Sequence, residues 1–273
     1  MTSVPLIIGA GPAGLTAGWE LAKEGVREVV IVEKDSQVGG ISKTINREGW
    51  RFDLGGHRFF SKSEEVNDLW KEMLPKEDFL RRPRKSRIFY NGKFYDYPLK
   101  PINALKNLGL YETLRCIASY VLVRVRKPKD LDSFEGWVAS RFGWRLYEIF
   151  FKTYTEKVWG ISTKQLRSTW AAQRIKNLSL SRAVIDAFGL SKKNQVTSLI
   201  EEFDYPRLGP GQLWENVAKT LEEKGAELHL NTGIESIVQT GDNYLVSLSN
   251  GNKIVSSSIF SSAPLFEIPR LLS

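Results

Sequence analysis

The chain has 273 residues, 42% of them hydrophobic, and a formal charge of +8 at neutral pH, which together predict a globular fold of one large domain or two ordinary ones. The excess of Lys and Arg favours anionic partners such as nucleotides, phosphosugars or an acidic membrane surface, but no basic run is organised as a nucleic-acid reading motif, so nucleic acid is not expected. A single cysteine, Cys116, excludes an internal disulfide, and with only His57 and His229 beside it no metal site is expected.

The opening "MTSVPLIIG" enters a strand-like run with no charged leader ahead of a long apolar segment, which predicts a cytoplasmic protein. "VPLIIG", "AGPAG", "LTAGWELAKEG" and "EVVIVEK" then read strand, tight turn, helix, strand, the start of a βαβ unit. A helical stretch carrying Leu69, Met73 and Leu74 follows "GWRFDLGGHRFF". In "RIFYNGKFYDYPL" the pair Asn91-Gly92 supplies the two positive-φ residues of a tight hairpin turn between aromatic strands.

From about Ile102 to Leu180 the pattern is helical, broken at Gly109, Pro128 and Gly160, and is expected to be an inserted domain. Its most apolar span, Cys116 to Val123, is far shorter than the roughly 20 residues that cross a bilayer. "RCIASYVLVRVRK" has the composition of a surface-seeking helix, but a buried helix with a basic end is the reading adopted, with Cys116 an inert core residue. The run Arg81, Arg82, Arg84, Lys85 and Arg87 is read as a solvated face ahead of a substrate-steering patch.

"RLGPGQLWENVAKTLEEKG" gives a turn and an amphipathic helix with Leu213, Val217 and Leu221 on one face. Strands "AELHL", "ESIVQT", "NYLVSLSNGNKIV" and "SIFSSAP" follow, with Asn250-Gly251 at a second hairpin. The expected division is 1–85, a first nucleotide-binding part; 86–207, an inserted substrate domain; and 208–273, a return to the first domain. The end at "FEIPRLLS", just past a strand-like run, is expected to belong to a longer chain.

Chemistry is concentrated near the start. Gly9, Gly11 and Gly14 form GxGxxG between a strand and a helix. The first allows the tight turn, the second lets backbone approach a pyrophosphate, and the third lets helix pack on strand. Pro12, Ala13 and Gly14 open the helix, whose unpaired N–H groups face the phosphates. Glu33 lies 33 − 14 = 19 residues past the last glycine, at the end of the second strand, where a carboxylate accepts from both adenosine ribose hydroxyls and repels the extra phosphate of NADP. Lys34 follows it. The pair Gly39-Gly40 marks a second close approach of bare backbone, which suits FAD better than NAD.

GxGxxG, Glu33 and Gly39-Gly40 together resemble the flavoprotein superfamily that includes amine oxidases, protoporphyrinogen oxidase and UDP-galactopyranose mutase. "FDLGGHRFF" resembles the family segment beside the flavin ring, which implies cofactor roles for Gly55, Gly56 and His57, the last near the reactive middle ring. "YNGKFYDYPL" and "YTEKVWG" are similar to mutase segments, implying substrate contacts for Tyr154, Lys157 and Trp159. Arg174, close to where the mutases hold their substrate's diphosphate, becomes an anion clamp and, with His57, a catalytic candidate. The paired tyrosines that grip diphosphate in bacterial mutases have no match between Leu178 and Tyr205.

The resemblance implies an α/β flavoprotein: a Rossmann-like FAD domain with an inserted, mainly helical substrate domain and an antiparallel sheet portion. The expected function is an FAD-dependent enzyme acting on a small anionic substrate, such as a nucleotide sugar or a lipid-linked intermediate. A sugar mutase using reduced FAD, and a non-catalytic flavin-binding or membrane-surface protein touching the inner face of a membrane, are the alternatives.

Overall fold

The computed structural model describes residues 3–97, 101–174 and 202–272. The chain falls into two compact units, Met1–Arg82 with Glu202–Ser273, and Pro83–Glu201.

In chain order the first unit begins β1 (Val4–Ile8), α1 (Pro12–Lys23), β2 (Val30–Val32), β3 (Thr44–Arg47), β4 (Trp50–Asp53), α2 (Glu64–Met73) and β5 (Phe79–Pro83). The second supplies β6 (Ser86–Tyr90), β7 (Lys93–Tyr97), α3 (Pro101–Val125), α4 (Phe134–Phe142), α5 (Trp144–Leu146), a π-helical turn (Tyr147–Lys152), α6 (Thr153–Trp159) and α7 (Ser168–Arg174). The first unit then resumes with β8 (Glu202–Pro206), α8 (Gly211–Glu223), β9 (Glu227–His229), β10 (Ile234–Thr240), β11 (Asn243–Leu248), β12 (Lys253–Ser261) and α9 (Ile268–Leu271).

The first unit is built on a six-stranded sheet of order β10-β11-β12-β1-β2-β9. Pairings β12-β1, β1-β2 and β2-β9 are parallel, and β10-β11 and β11-β12 antiparallel. Strands β1 and β2 are apolar at every position because both faces of the sheet are covered. Ile7 and Ile31 pack with Leu15 and Trp19 of α1 and with Leu213, Val217 and Leu221 of α8. Leu6, Ile8, Val30 and Val32 pack on the other side with Ile237, Val246 and Leu248. The α8 stripe expected from the sequence is buried to 2% exposure or less, and each such side chain contributes about 1.5–3 kcal/mol. Because β2 and β12 flank β1, the strand order reverses there, and a crevice opens at its carboxyl end.

In the second unit the β6-β7 hairpin turns at Asn91 (φ 48°) and Gly92 (φ 73°), with Tyr90 opposite Lys93. Tyr95, Cys116, Leu146, Ile149 and Phe150 form one core, and Phe134, Val138, Ala139, Tyr147 and Ala171 another. Gly109 (φ 80°, ψ 168°) kinks α3. Gly143 lets the α4–α5 junction approach α3: a Cβ there would lie 2.8 Å from the Tyr120 backbone nitrogen.

The expectation that the Cys116 helix is buried is corrected. Cys116 and Val123 of α3 face the core, but Leu114, Ile117, Val121 and Leu122 are exposed. Apolar residues ring this helix on both sides, and composition alone does not say which side meets the protein.

Candidate functional site

The crevice at the end of β1 is made from backbone. Gly9 takes φ +98° and donates its N–H to the Val32 carbonyl at 2.8 Å. A Cβ on Gly9 would come within 2.4 Å of Ser262 Oγ, and one on Gly14 within 1.9 Å of the Gly9 carbonyl oxygen. The first and third glycines are therefore demanded by the packing of strand, turn and helix. Gly11 caps α1 in an extended conformation without a side-chain hydrogen bond, Pro12 starts the helix, and its first turn holds no acidic residue. The amides of Ala13 and Gly14 and the positive end of the helix dipole are left for an anion.

Glu33 follows directly on β2 and is only 9% exposed. Its Oε2 accepts from Ala10 N at 2.7 Å and its Oε1 from Asp35 N at 2.9 Å. Among the described residues it has no ion pair, and each oxygen keeps a second lone pair. A buried carboxylate held by backbone and aimed at the phosphate loop fits the adenosine ribose of a dinucleotide.

The glycine pair has a reason within the protein. Gly39 (φ +100°) donates to the Ala10 carbonyl at 2.8 Å, and a Cβ on Gly40 (φ +52°) would lie 3.2 Å from Gly11 Cα. The two glycines thus lock the turn after Glu33 against the phosphate loop. Lys43 pairs with Asp35 across this turn, and the resulting hydrogen bond depresses the Asp35 carboxyl below its ordinary value. Lys34 is exposed and meets Glu267 at 3.7 Å.

Gly55 (φ +94°) and Gly56 lie on an exposed loop after β4, with open space where side chains would be. The half-buried His57 turns its Nε2 to the Leu54 carbonyl at 3.0 Å. A carbonyl only accepts, so Nε2 is the donor in this bond, and in the neutral ring Nδ1 is left as the acceptor.

A polar cluster that the sequence did not reveal joins the β3-β4 hairpin to the returning chain. Thr44 Oγ1 accepts from Gly211 N at 3.0 Å and lies 3.4 Å from Asp53 Oδ1, while the Tyr205 hydroxyl donates to Asp53 Oδ2. Burial, and then the Asp53 carboxylate, push the Tyr205 phenol well above its ordinary pKa. Gly209 and Gly211 are required here, since Cβ atoms on them would meet Thr44 at 2.3 and 2.5 Å. The Gly-Pro-Gly turn was the visible signal; its partner was not.

In the second unit Tyr154 and Lys157 are exposed on α6, three residues apart and so on neighbouring positions of one face. Trp159 packs edge-on against Trp170 at 5.1 Å between ring centroids. Arg174 ends α7, and its side chain lies outside the described residues. The first unit thus gathers Gly9, Gly11, Gly14, Glu33, Gly39 and Gly40 at one crevice. Among the described residues no cluster of His, Cys, Asp and Glu could hold a metal, and no helix is long and apolar enough to cross a membrane.

A family model for an NAD(P)-binding Rossmann-like domain matches residues 7–73. Phytoene desaturase (neurosporene-forming) of Cereibacter sphaeroides is 26% identical across 94% of this chain and 52% of its own length. The solved structure of reduced UDP-galactopyranose mutase superposes with a TM-score of 0.81 at 23% identity, over all of this chain and 57% of that one. Putrescine oxidase bound to putrescine does so with a TM-score of 0.60 at 17% identity, over 99% of this chain and 60% of that one. The chain therefore spans about half the length of the curated relative. Residues 7–73 thus match an NAD(P)-binding Rossmann-like family model, and the chain has the fold seen in UDP-galactopyranose mutase and putrescine oxidase.

Proposed function

We propose that this chain provides the FAD-binding part of an FAD-dependent enzyme acting on a small anionic substrate, such as a nucleotide sugar or a lipid-linked intermediate. The observation that carries this reading is the buried Glu33 carboxylate, bonded to Ala10 N and Asp35 N beside an uncapped helix N-terminus. Gly11, Ala13 and Gly14 would hold the pyrophosphate, and Glu33 the ribose hydroxyls. When bound, FAD supplies hydride or electron-pair chemistry that no side chain provides. The role of this chain's residues is to bind and orient: Gly39 and Gly40 fix the distance between the ribose acid and the phosphate loop, and His57 offers Nδ1 as an acceptor. Tyr154, Lys157, Trp159 and Arg174 are the proposed substrate contacts, the guanidinium suiting a diphosphate.

The test is the absorption spectrum of the purified full-length protein, which is expected to show bound flavin. Glu33→Arg should weaken flavin retention by about tenfold to a hundredfold, the cost of losing charge-assisted hydrogen bonds. Retention equal to the parent would refute the ribose assignment. Two chemistries remain distinct within the proposal. The high TM-score with reduced UDP-galactopyranose mutase favours a non-redox sugar mutase, and the desaturase likeness favours a redox enzyme. Turnover of UDP-galactopyranose by the reduced full-length protein selects the mutase; flavin reduction by a different substrate, with release of an oxidised product, selects the redox enzyme.

A further inference from the structure

The part of α3 beyond its kink, Leu110–Val125, is an uninterrupted helical segment about 24 Å long. Its inward side is formed by Glu112, Cys116, Tyr120 and Val123, with Glu112 tied to Arg145 of α5 and Cys116 in the core. Its outward side carries Leu110, Leu114, Ile117, Val121, Leu122 and Val125, every one of them at least 48% exposed. At 100° per residue these six fall within an arc of roughly 140°. Arg124 borders that arc on one side, and Arg115 and Arg126 on the other.

Charge identifies what covers the stripe. From Leu110 to Lys129 there are five cations, Arg115, Arg124, Arg126, Lys127 and Lys129, and one anion, Glu112, which faces inward. The Arg124 guanidinium is held over the Tyr120 ring at 5.0 Å, and Arg115 over Tyr111 at 5.6 Å, so long cationic side chains edge an apolar strip. Such a helix lies in the plane of a bilayer surface, its apolar face in the acyl boundary and its cations among anionic headgroups. A second copy would bring no outward-facing acid from this segment to that rim, since Glu112 is turned inward onto Arg145. The length excludes crossing, in keeping with the absence of any membrane-spanning helix among the described residues.

We propose that the outward stripe of Leu110–Val125 is a peripheral docking surface for anionic lipid bilayers. This goes beyond the FAD reading and does not depend on it. Full-length protein is expected to sediment with vesicles containing phosphatidylglycerol, and much less with vesicles of phosphatidylcholine alone, with binding weakened by salt. Leu114→Glu combined with Val121→Glu should reduce the bound fraction by at least about tenfold, and Arg124→Glu by about fivefold or more. All three sites are exposed, so an unchanged thermal midpoint and far-ultraviolet circular dichroism would show that the variants fold. A polarity-sensitive dye attached through Val121→Cys should shift to the blue on vesicle addition, and the parent protein treated with the same dye should not. Absence of binding to either vesicle, or equal binding by the Leu114→Glu, Val121→Glu variant, would overturn the proposal. So would a concentration-dependent dimer that this variant dissociates without any lipid binding, which would assign the stripe to a second copy.

Discussion

Gly14 shows how a residue with no side chain specifies the site. A methyl group on it would sit 1.9 Å from the Gly9 carbonyl oxygen, which is backbone and has no rotamer to escape to. Gly14→Ala is therefore expected to lower stability by about 3 kcal/mol, the upper range for overpacking, measured as a shift in the denaturant midpoint. Gly25→Ala, at positive φ but with open space around it, should cost about 1–2 kcal/mol, the strain of the left-handed region alone. Cys116 is 4% exposed, and burial pushes its thiol up to about 11. The native protein should leave this thiol unmodified by iodoacetamide near neutral pH, and denaturation should release it; rapid labelling of the folded chain would contradict the burial. At this scale the sequence was legible wherever the constraint is local, as in the positive-φ turn at Gly9 and the close packing of Gly14 on Gly9. Thr44 and Ser262 were illegible because their partners, Gly211 and Ile8, lie 167 and 254 residues away.

Among the elements, α3 and α5 are joined by the half-buried cluster of Glu112, Arg145, Arg115 and Glu148. The Arg145 guanidinium, hydrogen-bonded to Glu112, holds that carboxyl below its ordinary 4.5. A carboxyl depressed in the folded state stabilises it above the unfolded value and loses that contribution as pH falls through the folded value. Denaturant midpoints should fall with acid below about pH 4.5, and Glu112→Gln should flatten that fall. A variant with the same acid slope as the parent would remove the pair from the account. Helices and hairpins with a strong period were visible in advance, α8 and β6-β7 among them. The β3-β4 turn was missed because it places Glu48 at φ 54°, a residue that does not announce a left-handed turn. The outward face of α3 was misjudged because its inward face is apolar as well.

Across the whole molecule the two units hold separate cores, Ile7, Leu15 and Leu213 in one and Tyr95, Phe134 and Tyr147 in the other. Unfolding of the full chain is expected to be biphasic, as for two independent cores. Added FAD should raise the midpoint of the transition belonging to residues 3–82 and 202–272 and leave the other in place. Exchange of backbone amides, followed by peptide, separates the two, and a single transition raised uniformly by FAD would deny their independence. The α/β class was readable because β1, α1 and β2 follow one another directly. Strand order was not, since the second neighbour of β1 comes from the far end of the chain.

That neighbour is β12, which sets Phe260 beside Ile7. A ribosome adding about 5–20 residues per second needs roughly 13–50 s to make the intervening chain. For that time the first strand leaves the exit tunnel with one lateral edge bare, and the crevice at its carboxyl end has only one wall. The crevice is therefore complete only once β12 has emerged and paired with β1.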